Sequence, residues 1–546
     1  MAMRNLYQVW LFVLLVCSAM LSARAQSFRV QCPTSTLAHP AATAAEPAYT
    51  APTYLGTALT PTGPVNGAIK CQQISGGDGY ATMADGTQTY LFAFGPLSGL
   101  NDIANGYPTG GTEFAPTFLK PYPTDPNGAV GLMPDAEAGG ALTGHVDPRP
   151  IMDVGVMNGN MPAPLMSIDE DDEFFLTLTN VGMIMRPDLF EQHTVHFHGY
   201  PNASSFYDGV PDASVAINIG GSFTYYYLAP DAGTYFWHCH ITPPEHLQMG
   251  MVGQLYVRPR QDRVPVGNGL RVALVAQQGD PRTASDCLAD ILCSTPLPPA
   301  NAVNQAVDPR TNQPYKYAYN DGDGSTAYDV EYPLQIHGFD PNFHFVGMTF
   351  NPEGFADIKD KYFLLNGRSY PDTINVQGYA GGGIAPGNTN TGLVGQPTGT
   401  TAIYTQAADG VARPAQPLSA LINIPAGGKA LLRISDLDVS EYQTLASLGI
   451  PMHVIAYNAR LLRDMAGDDM TYYSNSITLG GGESLDVILD ASDATKYPSG
   501  SIFYLYTPNL DHLSNDAENF GGLMTEVHIC DSVDPLTHHG TGTNCQ

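Results

Sequence analysis

The sequence predicts an all-β protein with two domains, each a sandwich or barrel of short strands, and three observations lead to this prediction. Charged residues make up only 14% of the 546 residues, below the share of about 25% that is usual in soluble domains. The 57 glycines and 44 prolines favour strands joined by many turns. Apolar segments of strand length recur in two separate blocks, and the hydrophobic share of 43% is sufficient for more than one core.

The N-terminus has the features of a secretory signal peptide. An apolar run follows Arg4 and ends before Ala23-Arg24-Ala25, a small-residue cleavage pattern. This run is far shorter than the 18 or more residues that cross a membrane, and no later segment reaches that length. We therefore interpret residues 1–25 as a signal peptide, expect an exported protein in the periplasm or outside the cell, and expect no membrane span.

Seven cysteines follow the predicted cleavage site, so one of them lacks a partner. Disulfides persist in the oxidising compartments that export reaches. Six cysteines allow fifteen connectivities, and we expect the pairs that are near in sequence: Cys32 with Cys71, Cys287 with Cys293, and Cys530 with Cys545. Cys239 then remains as the free thiol.

The strand-like segments divide the chain after the signal peptide into five parts. Residues 26–75 are rich in Ala, Thr and Pro without a sustained period, and we expect an extended N-terminal arm without a core. The other parts are a first domain over 76–259, a linker over 260–325, a second domain over 326–530 and a C-terminal tail over 531–546.

The first predicted domain contains several segments with strand periodicity. One strand begins at Thr87, and the Gly/Pro-rich segment that follows it to about residue 148 is interpreted as a lid or a surface decoration. Further strands are expected at 173–179, 193–198, 222–228, 234–237 and 253–257. Short strands separated by turn signals at this spacing are typical of an antiparallel sandwich or barrel.

The second block, from about residue 328 to 529, shows related signals. Its Gly500-Ser-Ile-Phe-Tyr-Leu-Tyr is similar to Gly233-Thr-Tyr-Phe-Trp-His-Cys in the first block, which indicates two copies of one fold. The linker between the blocks is rich in Pro, Asn and Asp, and we expect one strand in it, at 270–276.

The net charge of −29 excludes nucleic acid as a partner, because phosphate backbones are bound by clustered cations. An acidic surface attracts cations instead, including metal ions and basic redox proteins.

Six of the fifteen histidines lie in two short segments, 192–199 and 237–251. Because side chains alternate between the two faces of a strand, two neighbouring strands here would sort these residues into two groups. One face holds His193 and Cys239, with His246 and Met251 in the following loop. The opposite face holds His196, His198, His238 and His240.

The chemistry of the two groups points to metal. Two imidazoles, a thiolate and a thioether are the ligands of an electron-transfer copper site with a weak axial methionine. Four imidazoles suit further copper, or zinc. A lone core histidine is usually structural, but six clustered histidines beside an unpaired cysteine in an oxidising compartment favour metal binding.

These segments resemble the multicopper oxidases, the laccase-like cupredoxins. Over 150–258 the resemblance is carried by Asn158-Gly-Asn-Met-Pro-Ala-Pro, His196-Phe-His-Gly, Asp208-Gly-Val-Pro, Gly220-Gly-Ser-Phe-Thr-Tyr and the His-Cys-His stretch that ends at Gly250-Met251. It is more diffuse over 328–530, where Phe363-Leu-Leu-Asn-Gly-Arg-Ser-Tyr-Pro and Ile450-Pro-Met-His-Val-Ile-Ala-Tyr are similar to a second cupredoxin. The resemblance implies two cupredoxin-like Greek-key domains, copper as the cofactor, and an oxidoreductase.

The resemblance also implies a role for each candidate ligand. The type 1 copper site, which takes electrons from the donor, is formed by His193, Cys239, His246 and Met251. The type 2 position falls on His196, and the type 3 positions fall on His198, His238 and His240. No catalytic residue is expected beyond these metal ligands.

Two departures from the family pattern limit what the resemblance implies. Six residues separate Cys239 from His246, which is more than in typical laccases, so the tuning of the site is expected to differ. The trinuclear cluster of the family needs four His-x-His pairs, and this chain shows two. In the second block Leu505-Tyr506-Thr507 stands where His-Cys-His would be, and only His453 remains from the other motif.

Three functions are compatible with this sequence. The first is a secreted copper oxidoreductase that passes electrons to copper at the four-histidine face and reduces O2 there. The second is an enzyme like the copper nitrite reductases, whose second site is shared between domains or between protomers of a homo-oligomer. The third is a non-enzymatic electron-transfer or copper-binding protein. The electron donor stays open among small molecules such as phenols, metal ions and redox proteins.

Four histidines remain as candidates for completing the second copper site. They are His337, His344, His453 and His512. We expect each of them to be structural rather than a ligand.

Overall fold

The structure is a computed structural model, and part of the chain is described by it. The described residues are 29–36, 69–170, 172–200, 204–229, 231–263, 266–267, 269, 310, 312, 315–347, 355–375, 404–406, 412–464 and 466–545. The predicted signal peptide, the strand expected at 270–276 and the Cys287–Cys293 pair lie outside them. Within the described ranges, no helix is long and apolar enough to cross a membrane.

The all-β prediction is confirmed, because strands form two β-sandwiches and the helices are short. The strands of the first sandwich are β1 Ile69–Thr82, β2 Gln88–Pro96, β3 Glu113–Phe114, β4 Met166–Asp169, β5 Glu173–Gly182, β6 His196–His198, β7 Ser222–Leu228, β8 Gly233–His238 and β9 Val252–Arg258. The α-helices are α1 Leu100–Ala104, α2 Ala115–Phe118, α3 Pro148–Gly155, α4 Pro243–Gln248 and α5 Pro341–Gly347. The 3₁₀ helices are Ala136–Ala138, Ser205–Tyr207, Arg260–Arg263, Phe355–Asp357, Asp372–Ile374 and Leu510–His512.

Two sheets face each other in the first sandwich. One has the strand order β2-β1-β5-β7, with β3 added to β1, and the other has the order β4-β9-β8-β6. The pairs β1–β5 and β4–β9 are parallel. The expectation of a purely antiparallel sandwich is therefore not met. The reason is that strands which neighbour each other in a sheet are separated in sequence by strands of the facing sheet. Trp237 and Cys239 lie fully buried in the core between the sheets.

The second sandwich repeats this arrangement. Short strands precede it, β10 Lys316–Tyr317 and β11 Ala327–Tyr328. Its strands and those that flank it are β12 Val330–Phe339, β13 Tyr362–Leu365, β14 Tyr404–Gln406, β15 Ala412–Pro414, β16 Ile422–Pro425, β17 Lys429–Asp436, β18 Gln443–Leu448, β19 Met452–Tyr457, β20 Arg460–Leu461, β21 Tyr472–Ser474, β22 Ser476–Leu479, β23 Ser484–Asp490, β24 Ile502–Tyr506, β25 Met524–Cys530, β26 Ser532–Val533 and β27 Gly540–Thr541. Its two sheets have the orders β13-β12-β17-β23-β19-β20 and β16-β25-β24-β18-β22.

The main strand pairings of the first sandwich recur in the second, which has the additional strands β19, β20, β21 and β22. Parallel β12–β17 corresponds to β1–β5, parallel β16–β25 to β4–β9, and antiparallel β18–β24 to β6–β8. The two similar sequences at Gly233 and Gly500 lie on β8 and β24, which occupy equivalent places. The prediction of two copies of one fold is therefore confirmed by the topology.

The expectation of an arm without a core does not hold for the described part of residues 26–75. Strand β1 begins at Ile69, and a disulfide joins Cys32 to Cys71, as expected from their spacing. Val30 and Cys32 pack with apolar residues of β1, α2 and α3 in a separate buried cluster. The segment expected to be a lid contains α2 and ends where α3 begins, and both helices pack against β1. A few apolar residues fixed by a disulfide are sufficient to anchor this segment.

The described ends of the linker and the C-terminal tail are also packed. Arg260 and Gln261 are buried, and Nη1 of Arg260 lies 3.3 Å from a carboxylate oxygen of Glu170. The tail is attached by a disulfide between Cys530 and Cys545, as expected.

The two sandwiches pack against each other through β8 and β9. The side-chain amide of Gln254 on β9 donates to the carbonyl oxygen of Arg433 at 2.9 Å and to the Ser435 hydroxyl at 2.7 Å. The hydroxyl of Thr234 on β8 donates to Asp486 at 2.5 Å. The face of β8 that points away from its own core therefore lies against the second sandwich.

Candidate metal centres

His193, Cys239 and His246 converge at one end of the first core. One ligand atom from each lies within 4.8 Å of the others, and all three residues are fully buried. A ring nitrogen of His246, Nδ1, lies 3.3 Å from Sγ of Cys239, and the backbone N–H of Thr194 donates to the same sulfur at 3.4 Å. Cys239 is a free thiol. We call this group the thiolate centre.

The backbone explains how these residues meet. His193 precedes β6 and is held by a bridge to Ile217, with N–H to O distances of 3.1 and 2.9 Å. His246 lies on α4, where a loop was expected, because two prolines start a helical turn there. Gly250 has a φ of 103° and turns the chain back. The Met251 N–H then donates to the His246 carbonyl at 2.9 Å.

Helix α4 is fastened to the second sandwich by Gln248, a buried residue that the sequence did not identify. Its Oε1 accepts the backbone N–H of Asp340 at 3.1 Å and lies 2.9 Å from Nε2 of His344. Its Nε2 donates to Asp360 at 2.7 Å. The helix that carries His246 is therefore oriented by contacts with the other sandwich.

Two of the three groups in the thiolate centre have protonation states that fit a metal ion. Burial raises the pKa of Cys239, but the charge of His246 and its hydrogen bond outweigh burial and lower that pKa overall. Burial holds the pKa of His193 well below 6.5, so its ring is neutral. Both ring nitrogens of His193 are buried without a hydrogen-bond partner among the described residues, although buried polar atoms are normally paired. A thiolate and an unpaired neutral imidazole are what a metal ligand set requires. Burial lowers the pKa of the third group, His246, but the charge and hydrogen bond of Cys239 outweigh burial and raise that pKa to about 9, so this ring releases a proton when it binds a metal.

His196, His198 and His238 form a second group, whose ligand atoms also lie within 4.8 Å of one another. His196 is paired with His238 across β6 and β8. Nδ1 of His196 donates to the Asp208 carbonyl at 2.7 Å, and Nδ1 of His238 donates to the Cys239 carbonyl at 2.8 Å. These bonds fix both rings and leave their Nε2 atoms available as ligands, as outer hydrogen bonds do in metal sites. We call this group the histidine centre.

His240 lies beside the histidine centre, with its ring centre 5.1 Å from that of His196. Burial lowers the pKa of His238 to about 3, which keeps its ring neutral. The alternation expected from the sequence is therefore observed. Trp237 and Cys239 face the core, whereas His238 faces away from it.

A cavity of about 510 Å³ lies in front of the histidine centre, between the two sandwiches. The first sandwich contributes His198, Phe236, His238 and Leu247 to its lining. The second sandwich contributes residues 437–442 and 480–483, among them Asp438, Glu441 and Glu483. No motif in the sequence marked these carboxylates, because they lie on separate turns.

The four additional histidine candidates do not reach this cavity. His344 contacts Gln248 and is stacked on Phe339. His453 is hydrogen-bonded to Thr471 and stacked on Tyr473, and His512 is hydrogen-bonded to Gln443 and Glu441. His337 is buried, and its ring nitrogens have no hydrogen-bond partner among the described residues.

The interpretation of His453 as a remnant of the missing motif is wrong. In the second sandwich, Ala446 pairs with Tyr506 at the place where His196 pairs with His238. His453 lies on β19 in the other sheet. The local sequence around it resembles the family, but the pairing of strands places the equivalent positions on β18.

Comparisons with known proteins agree with this geometry. Residues 143–262 match a family model described as multicopper oxidase, and this range contains all eight predicted metal ligands. Laccase abr2 of Aspergillus fumigatus is 33% identical over 109 residues, which are 20% of this chain and 17% of that protein. Copper-containing nitrite reductase of Rhizobium meliloti is 34% identical over 109 residues, 19% of this chain and 26% of that protein.

The matched segment therefore spans only about a sixth to a quarter of the length of these relatives. Among solved structures, the blue copper oxidase from Nitrosomonas europaea is similar at a TM-score of 0.46 and 17% identity, over 84% of this chain and 85% of that one. The resemblance of this segment to the multicopper oxidases is confirmed, and the structure contains two groups of side chains that could hold a metal ion.

Proposed function

We propose that this chain, whose residues 143–262 match the multicopper oxidase family, is an exported copper-dependent oxidoreductase. The observation that carries the proposal is the buried meeting of a free thiol with two histidines. Copper held by the thiolate centre with Met251, and by the histidine centre, would supply one-electron chemistry that takes electrons from a donor and reduces O2.

The residues of the chain connect the two centres directly. Cys239 and His238 are consecutive, so a single peptide unit links them. The hydrogen bond from Nδ1 of His238 to the carbonyl of Cys239, 2.8 Å long, adds a second short connection between the same residues. Electrons that arrive at the thiolate side therefore have a path of a few bonds to the histidine side.

The donor is expected to approach near His246. Nε2 of His246 lies 3.8 Å from the carboxylate of Glu191, whose side chain is partly exposed. The adjacent Phe190 is 80% exposed. This is a route from the buried thiolate centre to the surface, and it fits a donor of any of the three classes left open by the sequence.

The charge around the histidine centre favours O2 over nitrite as the acceptor. The cavity in front of it carries Asp438, Glu441 and Glu483, and the whole chain has a net charge of −29. An anion entering this cavity meets like charges, which oppose its binding. A neutral molecule does not.

The proposal is tested on purified copper-loaded protein. We expect an intense visible band from the Cys239 thiolate bound to Cu(II), and O2 consumption with at least one donor among a phenol, a reduced metal ion and a reduced cytochrome. Cys239→Ser removes both while the circular dichroism spectrum is retained. The control His453→Gln removes a histidine from the other sandwich and leaves both unchanged.

Three results would contradict the proposal. A full-strength visible band in Cys239→Ser would exclude the thiolate centre. A blue protein that consumes no O2 with any donor would be an electron-transfer protein instead, and one that consumes nitrite without O2 would support the reductase alternative.

A further inference from the structure

We infer that the second copper centre is a mononuclear site held by His196, His198 and His238, and that a three-copper cluster does not form in this chain. The inference rests on the proposed function in one respect, namely that copper is the metal at this face. It goes beyond that function because it specifies how many metal ions the chain binds. The family pattern implies a three-copper cluster held by four His-x-His pairs. This chain has two such pairs, so the geometry of the second sandwich decides whether other residues replace the missing two.

The second sandwich has no ligand at the equivalent positions. Because its strands pair as those of the first sandwich do, Ala446 and Tyr506 occupy the places of His196 and His238. Leu505 faces the core of the second sandwich as Trp237 faces the first core, so the next residue, Tyr506, faces away from the core as His238 does. An alanine offers no ligand atom, and a tyrosine hydroxyl is a poor substitute for an imidazole at copper.

The part of the second sandwich that lines the cavity in front of the histidine centre has no imidazole either, within the described ranges. Among the described residues, the second sandwich lines the cavity with carboxylates, a tyrosine, glycines and apolar side chains, and with no histidine. The carboxylate of Glu483 is already occupied: it accepts the backbone N–H of Gly480 at 2.7 Å and the hydroxyl of Tyr457. Oε2 of Glu441 lies 3.0 Å from His512.

Gly482 leaves little room on this side of His198. A Cβ atom at Gly482 would lie 3.2 Å from Nε2 of His198 and 3.3 Å from its Cε1. The backbone of the second sandwich is therefore in contact with the edge of this imidazole. A histidine projecting from this turn toward the centre would overlap with His198.

The three histidines alone form a plausible copper site. Their ligand atoms lie within 4.8 Å of one another, and the carbonyls of Asp208 and Cys239 fix two of the rings. The cavity of about 510 Å³ leaves one side of the site open. Three imidazoles with an open position are a common arrangement for a single catalytic metal ion.

The number of copper ions per chain tests the inference without an activity assay. Copper is counted by elemental analysis after reconstitution with Cu(II) and removal of excess metal. Electron spin resonance, integrated against a standard, then measures what fraction of the copper is isolated. We expect two copper ions per chain, both fully visible, with one signal from each centre. His198→Gln reduces the count to one and preserves the visible band.

A pair of glycine variants tests the contact between the turn at Gly482 and the ring of His198. Gly482→Ala places a methyl group against His198 and is expected to alter the spin-resonance signal of the histidine centre, while the visible band stays unchanged. The control is Gly467→Ala, which has a similar φ, 90° against 99°, but no atom within 4 Å of its Cβ. Both variants carry the same kind of backbone strain, so a difference between them reports the contact with His198.

The outcomes separate this inference from the proposed function. Three or four copper ions per chain with part of the copper invisible to spin resonance would overturn the inference and would show that a neighbouring protomer supplies ligands. One copper ion per chain, with the visible band intact, would overturn it as well. Absence of the band together with absence of bound copper would overturn the proposed function itself.

Discussion

Replacing Glu331 with glutamine tests whether a buried charge cluster holds the two sandwiches together. Glu331 on β12 is only 8% exposed and accepts hydrogen bonds from two arginines. Arg258, at the end of β9 in the first sandwich, donates from Nε at 3.0 Å and from Nη2 at 2.6 Å. Arg433 on β17, which is fully buried, donates from Nε at 2.8 Å.

The expected loss of stability is about 3–5 kcal/mol, the usual range when one partner of a buried ion pair is removed. Glu331→Gln keeps the shape of the side chain but places an amide NH2 group against the donors of an arginine. The charge of Arg433 then remains buried, with Asp486 as its remaining nearby carboxylate. Because Arg258 belongs to the other sandwich, we also expect unfolding to separate into two steps.

Urea unfolding followed by circular dichroism measures this effect. The control is Asp188→Asn, which removes an exposed ion pair with Arg186 and is expected to leave the midpoint unchanged, since exposed pairs contribute little. A loss below about 1 kcal/mol in Glu331→Gln, with one cooperative transition, would refute the reasoning.

The same cluster predicts how stability depends on pH. Burial raises the pKa of Glu331, but the charges of Arg258 and Arg433 outweigh burial and hold it well below the ordinary value of 4.5. A carboxyl group with a lowered pKa stabilises the fold fully above its unfolded value, and this contribution is lost as the pH falls through the folded value. We therefore expect the difference in unfolding free energy between the parent and Glu331→Gln to be constant above about pH 5.5 and to shrink in more acidic solution.

Three further predictions concern the thiolate centre. Met251→Leu shifts the visible band or raises the reduction potential, whereas Met249→Leu changes neither, because we assign the axial position to Met251. Trp237 is the only tryptophan after the predicted signal peptide and is fully buried. Cu(II) therefore quenches its emission in metal-free protein with a stoichiometric break, and His246→Ala abolishes the tight phase. Gln248→Leu removes the hydrogen bonds that orient α4 and shifts the potential, measured by redox titration, without loss of bound copper.

Local periodicity explains which parts of the site could be predicted. Alternation along a strand depends only on consecutive residues, so it placed Cys239 and His238 on opposite faces before any contact was known. The strand expected at 222–228 coincides with β7 for the same reason. Cysteine pairs near in sequence were equally accessible, since a short separation limits the choice of partner.

Contacts between distant residues could not be predicted from such patterns. Gln248 and Asp360 are 112 positions apart, and neither residue type in isolation indicates a role at a metal centre. His453 was misplaced because the resemblance is local, whereas the equivalence of positions is defined by strand pairing. The buried state of Val30 depends on packing against β1 and the short helices, which the composition of residues 26–75 does not reveal.

The second sandwich lacks the predicted metal ligands, yet it contributes to the site through its contacts with the first sandwich. Its strands β17 and β23 pack against β8, the strand that ends at His238 immediately before Cys239. Hydrogen bonds from Gln254 and Thr234 fix this contact, and Gln248 fixes α4 in the same way. The proposed ligands therefore all come from one sandwich, while the second determines the position of the strand and helix that carry them. Since metal sites depend on the orientation of their ligands, the properties of both centres are set in part by residues that never contact copper.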